Sequence, residues 1–488
     1  MGYCWRPHWS FRPIDWGDHG NGETLQLTPD VDADVIVVGG GISGLASAWG
    51  LQQRGARVVL LEAAPRAGGA IGSSREHGCL LESGPNSALE TTPLIGPLLN
   101  ELGIASERID TNAAARNRYI LRHGKLIALP LSPPAFLATR LFSTRAKLRL
   151  LCEPFIGRGA PDAEETVAAF VRRRLGTELL DYAINPFVGG VYAGNPATLS
   201  VSAAFPRLHE LEQRHGSLIW GQLAGARERA RNAEKSKQSA PMFAFREGMQ
   251  TLTDAIAQRL GRVELGTEAV SLVRGEDSYV VTASSANGLR EFRARAALLA
   301  TPAYAAARLV APFAATAATA LAAVSYPPVA VAFSIYLRSA IAHPLDGFGM
   351  LIPECERRQI LGTIFSSTLF ENRAPGGLVL LTSFVGGTRQ PELALRDEQA
   401  ITDLVQSELA ALLGISANPE FVLIKRWPRA IPQYTLGHAE RIGQVAAAER
   451  NFPGLFFCAN YRGGISIGDC IKSADRAAAQ VAAFLRGA

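Results

Sequence analysis

The chain is poor in cysteine, histidine and lysine, and each shortage excludes something. Six cysteines among 488 residues, with no C-x-x-C pair, give neither a disulfide framework nor a zinc site. Cys79, Cys152 and Cys355 read as small buried hydrophobes, and a reducing compartment fits. Eight histidines stand without H-E-x-x-H or any related spacing, so no metal is expected. Only six of the 49 basic residues are lysine, while alanine is abundant. That bias is typical of a GC-rich genome and points to a bacterial source. A net charge of +5 is small for this length, and no RNA- or DNA-reading motif is present, so no nucleic-acid partner is expected. Long hydrophobic runs are also missing. Residues 309–337 carry no charge, but Pro312, Pro327 and Pro328 break them and much of the stretch is alanine. They read as a helix followed by a buried strand, Val329 to Tyr336, and no transmembrane helix is expected. Residues 1–33 lack an apolar signal core and hold more acids than bases, which fits neither a secretory signal nor a transit peptide. They are expected to form a disordered or loosely docked extension.

What is present is a globular composition, 48% hydrophobic and 19% charged, long enough for two or three domains. Its organising stretch runs from Asp34 to Gly69. Asp34–Val38 is an apolar run of the kind that forms a buried parallel strand. Gly39-Gly40-Gly41-Ile42-Ser43-Gly44 follows as a G-x-G-x-x-G. The first glycine permits a tight turn, the second lets backbone approach a pyrophosphate, and the third lets helix pack on strand. Ala46–Arg54 is helix sequence closed by Gly55, and Val58–Leu61 is the next strand. Glu62 ends that strand 18 residues after Gly44, where a ribose hydroxyl partner belongs.

The segment Glu62-x-x-x-Arg66-x-Gly68-Gly69, with Ala63 and Ala70 beside it, decides between dinucleotides. A nicotinamide site has no need of an arginine and a glycine pair at this distance. The pattern resembles the two-dinucleotide-binding flavoproteins, in which such a turn holds the FAD pyrophosphate from its other side. FAD is therefore the expected cofactor. Ala300-Thr301-Pro302, after the apolar run Ala296–Leu299, looks like the turn that returns the chain to the FAD domain in that superfamily. Gly84-Pro85-Asn86-Ser87 would pass the flavin, although Gly-Pro-Asn is also ordinary turn chemistry.

Further blocks sharpen the resemblance. They are Arg116–Ile120, Glu153-Pro154-Phe155, Asn185–Gly190, Gly248–Leu252, Gly347–Pro353, Leu361–Ser367, Ser383–Gly387 and Gly454–Gly468. Running in order over residues 34–485, they resemble the oxygen-dependent protoporphyrinogen oxidases. The fold class implied is α/β: a Rossmann-like FAD-binding domain, a mixed-sheet substrate domain and a helical membrane-binding domain. On this reading the extension is 1–33, the FAD domain is 34–113, 217–290 and 432–488, the helical domain 114–216 and the substrate domain 291–431. Residues 131–216 carry apolar stripes with Arg140, Arg145, Lys147, Arg149 and Arg172–Arg174, the composition of a monotopic membrane patch or of plain solvated helices. The resemblance favours the membrane, on its cytoplasmic face in a bacterium or in a mitochondrion or chloroplast in a eukaryote. Arg227–Gln238, without an apolar face, reads as a solvated loop or frayed helix end.

The resemblance also implies site residues. Arg118 matches the family's carboxylate anchor, with Arg116 as neighbouring rival. Phe384 would stack on a pyrrole ring, Leu351 and Ile364 would sandwich another, and the Gly190 carbonyl would meet a pyrrole N–H. The backbone of Val270 would receive the adenine, and Trp427 belongs to the cofactor shell. Ile465, Ser466 and Ile467 would start a helix under the flavin, whose positive end stabilises reduced flavin. No Ser-His-Asp, Cys-His or paired-carboxylate set is evident, which suits chemistry performed by a flavin. The implied reaction takes protoporphyrinogen IX to protoporphyrin IX with O2 as acceptor and H2O2 as by-product. Coproporphyrinogen III is the near alternative and would need a second buried cation. An amine oxidase is the distant one; it calls for an aromatic cage, to which Asn460-Tyr461-Arg462 adds one ring, and often a cysteinyl flavin, for which Cys458 is the nearest thiol. A flavin-binding protein without turnover, and a homodimer, stay open.

Overall fold

A computed structural model describes residues 31–160, 163–229 and 240–487. The extension at 1–30 and most of the charged stretch Arg227–Gln238 lie outside the described residues.

The apolar runs read from the sequence become the centre of a seven-stranded sheet. Ala33–Val38 lies between Val58–Leu61 and Gly288–Leu299, parallel to both. Val263–Glu264 extends the sheet beyond Val58–Leu61, and Leu455–Phe457 runs parallel to Gly288–Leu299. Tyr279–Ser285 and Glu268–Arg274 complete it as antiparallel strands. Strand alternation explains why these runs are apolar at every position. Val35, Val37, Leu60 and Leu298 face the core under helices Ile42–Gln53 and Ile467–Gly487. Ile36, Val38, Leu61 and Leu299 face a second core under the alanine-rich helices Ala303–Val310 and Ala315–Ala322. Val38 is in register with both Leu61 and Leu299, and Leu299 with Phe457. The carboxyl ends of four parallel strands therefore finish on one line, where open α/β sheets bind ligands.

A second seven-stranded sheet runs in the order Phe421–Trp427, Val329–Leu337, Leu378–Gly386, Gly362–Ile364, Gly347–Leu351, Asn117–Arg122, Lys125–Ala128. Its only parallel pair is Gly347–Leu351 with Asn117–Arg122. One face packs on helix Glu398–Leu413 through Ala330, Ala332, Met350, Leu381 and Val385. The other face carries Val331, Phe384, Leu351 and Ile364.

Three expectations are corrected. Residues 117–128, assigned to the helical domain from 114, are strands of the second sheet, because Arg118–Ile120 finds parallel partners in Gly349–Leu351. Residues 291–322, assigned to the substrate domain, belong to the first sheet and its helices, because their apolar faces complete its second core. Cys79 is buried as expected, but Cys152 and Cys355 are exposed, each lying at or beside a short helix end. Residues 131–216 are helical as read, from Pro133–Ala138 to Pro206–His215.

Candidate flavin and substrate site

At the carboxyl edge of the first sheet the two glycine turns touch. Gly68 N donates to Gly40 O at 2.7 Å, and Gly41 and Gly68 form a parallel bridge. Gly39 holds φ +107°, and a Cβ on it would meet the carbonyl group of Ala300 at 2.9 Å. Gly44 is packed against Gly39 O so closely that no side chain fits, which is the helix-on-strand contact the motif requires. Gly41 differs. It precedes helix Ile42–Gln53 with ordinary extended backbone, and a Cβ there would meet nothing within 4 Å. No protein atom demands a glycine at Gly41, whereas a phosphate lying on this helix end would. The helix has no acidic residue in its first turn to offset its positive pole. Ile42 is half-buried and Ser43 buried at the same turn.

The remaining residues expected to meet the cofactor gather around this edge. Glu62 accepts from Gly40 N at 2.6 Å and from Ala64 N at 2.8 Å, fixing its carboxylate beside the turn. Arg66 donates to Ala67 O, Gly69 O and Ile71 O at 2.7–3.2 Å, so its guanidinium frames the second glycine turn. Ala63, Gly69 and Ala70 are exposed. Gly84 lies against Ala70 O, and Ser83 N donates to Gly72 O, which brings the Gly84-Pro85-Asn86-Ser87 turn alongside. Trp427, the last residue of the second sheet's edge strand, donates its Nε1 to Ser83 O at 2.8 Å and ties that sheet to the turn. Val270 occupies a bulge between Ala269 and Ser271, so its backbone is released from the ladder. The preceding residues Gly266 and Thr267 donate to Ala64 O and Glu62 O, which keeps this segment next to the ribose acid. The hydroxyl of Thr301, beside Gly39, is buried without a protein partner. An orphan hydroxyl and an unexplained glycine at one helix end fit a dinucleotide; the sequence marks the turn containing Thr301 but not its orphan hydroxyl.

Helix Ile467–Gly487 starts two residues after the expected Ile465. Ser466 and Asp469 form a reciprocal cap, with Ser466 Oγ donating to Asp469 Oδ2 at 2.7 Å and accepting from Asp469 N at 3.2 Å. Asp469 thereby offsets part of the positive end on which the sequence reading relied. Ile465 is half-buried just before this cap.

The five residues expected to meet a substrate converge. Leu351 is in register with Gly362, and Gly362 with Phe384; Ile364 pairs with Gly349, and Gly349 with Arg118. Directly opposed residues share a face, so Arg118, Leu351, Ile364 and Phe384 all lie on the face turned away from helix Glu398–Leu413. Helix Asn185–Tyr192 covers the same face: a Cβ on Gly190 would come 2.5 Å from Leu351 Cδ2. Leu351, Ile364 and Phe384 are half-buried, and Arg118 is exposed with its guanidinium over the Phe348 ring at 5.8 Å. Arg116 precedes the strand, and its Nε is spent on Ala113 O at 2.8 Å. Of the two rivals, Arg118 alone lies within the strand.

The features called for by an amine oxidase are placed elsewhere. Tyr461 has no exposed surface and lies in the second core, and Cys458 is buried at the end of its strand, where burial raises its thiol pKa.

A group missed by the sequence reading stands behind the 460–464 turn. Tyr434 OH donates to Asn460 O at 2.6 Å and accepts from Gly464 N at 3.1 Å. The His438 ring stacks on it at 4.2 Å, and His438 Nε2 meets Tyr461 O at 3.0 Å. Burial, reinforced by Arg441, lowers the His438 pKa to about 4, so the imidazole is neutral. Nothing in the run Pro432–His438 marks it as more than loop and helix start.

Known proteins share this architecture. A family model described as flavin containing amine oxidoreductase matches residues 42–482. A chloroplastic protoporphyrinogen oxidase of Nicotiana tabacum is 34% identical, covering 94% of this chain and 87% of its own. A coproporphyrinogen III oxidase of Propionibacterium freudenreichii is 31% identical, covering 92% and 90%. A solved structure from Exiguobacterium sp. 255-15, provisionally assigned as a protoporphyrinogen oxidase, superposes with a TM-score of 0.77 at 24% identity, over 92% of this chain and 98% of that one.

Proposed function

Because the chain belongs to the flavin-containing amine oxidoreductases and groups with the porphyrinogen oxidases among them, we propose that it oxidises protoporphyrinogen IX to protoporphyrin IX. It is an FAD-dependent oxidoreductase, and the bound FAD supplies the two-electron acceptor. O2 is the terminal oxidant in this reading, and three two-electron rounds yield three H2O2.

The protein's share is placement. The observation that carries the proposal is the single exposed guanidinium, Arg118, on a face otherwise lined by Leu351, Ile364 and Phe384 and roofed by Gly190. An apolar macrocycle with propionates matches that face, because a guanidinium can take a carboxylate bidentately while the rings take the hydrocarbon. Orientation and exclusion of water are then most of what such a site must provide.

Coproporphyrinogen carries more carboxylates and calls for a second cation. Arg389 lies beside Gly189, but it is spent on Ile352 O at 2.9 Å and Asn185 Oδ1 at 3.0 Å, which favours the protoporphyrinogen reading.

The helical layer supports a monotopic membrane partner. Leu137, Leu148, Leu151, Phe155 and Trp220 are 58–89% exposed, and no helix among the described residues is long and apolar enough to cross a bilayer. Anaerobic mixing of holoprotein with protoporphyrinogen IX, coproporphyrinogen III and an amine panel tests the proposal. The first should bleach the flavin absorbance fastest; bleaching by amines alone would overturn it.

A further inference from the structure

The buried pair Tyr434 and His438 makes contacts that the reaction outlined above does not use. Their partners are three backbone groups of one short segment: Asn460 O, Tyr461 O and Gly464 N. That segment leads through Gly463 and Gly464, both at positive φ, into helix Ile467–Gly487. On its other side Tyr434 is anchored to the helical layer. Its carbonyl accepts from Ser200 N at 2.8 Å, and the neighbouring Gln433 Nε2 donates to Tyr192 O at 2.8 Å, two residues beyond Gly190. The Tyr434 hydroxyl is thus both donor and acceptor in a place where neither backbone group has another ladder to join, and an unpaired buried backbone group is costly. The His438 ring stacked on Tyr434 at an interplanar angle of 13° leaves the phenol one orientation.

We infer that Tyr434, held by His438, is a positioning residue that sets the 460–464 turn and through it the reduction potential of the flavin. The inference rests on the reading that the flavin ring lies at the start of helix Ile467–Gly487. Backbone N–H groups of that segment stabilise the negative charge of the reduced ring only if their direction is fixed beforehand. The hydroxyl supplies that fixation from behind and touches no reacting atom.

The experiment is a spectroelectrochemical titration of three holoproteins: wild type, Tyr434→Phe and Gly464→Ala. Phenylalanine keeps the stack on His438 and deletes both hydrogen bonds. Alanine at Gly464 forces a Cβ against the Asp469 carboxylate, so it displaces the turn whatever Tyr434 does. Tyr434→Phe should retain FAD and stabilise the reduced flavin about tenfold less, a potential about 30 mV more negative for a two-electron couple. A purely structural tyrosine would lower the melting temperature and leave the potential where it was. That result, with Gly464→Ala shifting the potential, would overturn the role of Tyr434 and leave the flavin's place intact. If neither variant moves the potential, the ring does not lie at this turn, and the placement and the inference fall together. Should Gly464→Ala not fold, Ser466→Ala, which removes the Asp469 cap, serves as the second displacement of the same turn.

Discussion

Under the proposed function Arg118 would anchor a substrate carboxylate, and its surroundings say how a change there should read out. The side chain has no carboxylate partner among the described residues and only the Phe348 ring beneath it. A charge-assisted hydrogen bond contributes about 1.5–3 kcal/mol, so Arg118→Ala should raise KM for protoporphyrinogen roughly 10- to 100-fold. FAD content should not change, because no cofactor contact is removed; loss of yellow colour in the purified variant would mean that the residue is misplaced. His438 gives a second measurement at this scale, in stability rather than turnover. Its folded pKa lies near 4 against an ordinary 6.5, chiefly through burial, with Arg441 adding to the shift and Glu164 and Tyr461 O opposing it. The folded form therefore binds fewer protons than the unfolded one between these values. Stability from this group is fully present above pH 6.5 and is lost as pH falls to about 4. The loss is about 3 kcal/mol. Denaturant titrations at pH 6.5 and 4 should show that extra loss in the wild type and not in His438→Gln. Arg118 could be picked out in the sequence because a family pattern surrounds it. Tyr434 and His438 could not, since their meaning comes from a turn about 26 residues further on that only the folded chain brings within reach.

Elements differ in how far local pattern betrays them. The strand at Ala33–Val38, the glycine turn and Val58–Leu61 are stated outright by an apolar run, three glycines and a second run, since a parallel strand buried on both faces needs no alternation. Asn117–Arg122 could not be assigned this way. Its half-exposed residues and the helical stretch after it suggest the wrong layer, and its identity as a strand depends on a partner about 230 residues away. The same distinction separates two glycines of one motif. Gly44 is required by the fold, whereas Gly41 is required by whatever lies on the helix end. Gly41→Leu should accordingly cost the apoprotein no more than about 1 kcal/mol, as for a weakened helix cap, while abolishing FAD retention. Differential scanning of the apoprotein beside the flavin-to-protein absorbance ratio separates the two effects. A large loss of apoprotein stability would show that protein, not cofactor, selects the glycine.

Across the whole molecule, the helical layer sets charge against apolar exposure in a way that composition alone misjudges. Arg172–Arg174 read as a basic surface stripe, yet Arg174 is wholly buried between Glu153 and Glu212, and Arg173 is paired with Glu165 and Glu212. Arg149 and Lys147 spend their donors on carbonyls of neighbouring segments. Those cations fasten the helices to one another, and a buried pair lacking one partner would strand a charge. What the layer presents outward is largely apolar, with Phe155 89% and Leu151 62% exposed, and Arg140 and Arg145 are exposed on the same layer. Transfer of an aliphatic or aromatic side chain from water is worth about 1.5–3 kcal/mol, so Leu151 and Phe155 together should dominate attachment to a lipid surface, with electrostatics secondary. Leu151→Glu/Phe155→Glu is expected to weaken cosedimentation with phosphatidylcholine vesicles at least about tenfold and leave flavin bleaching by detergent-solubilised porphyrinogen unchanged. Arg140→Ala/Arg145→Ala should matter only when the vesicles contain anionic lipid, and then less as salt is raised. Undiminished vesicle binding by the double glutamate variant would rule this face out as the membrane contact, since two new carboxylates at its most exposed points could not enter lipid unnoticed.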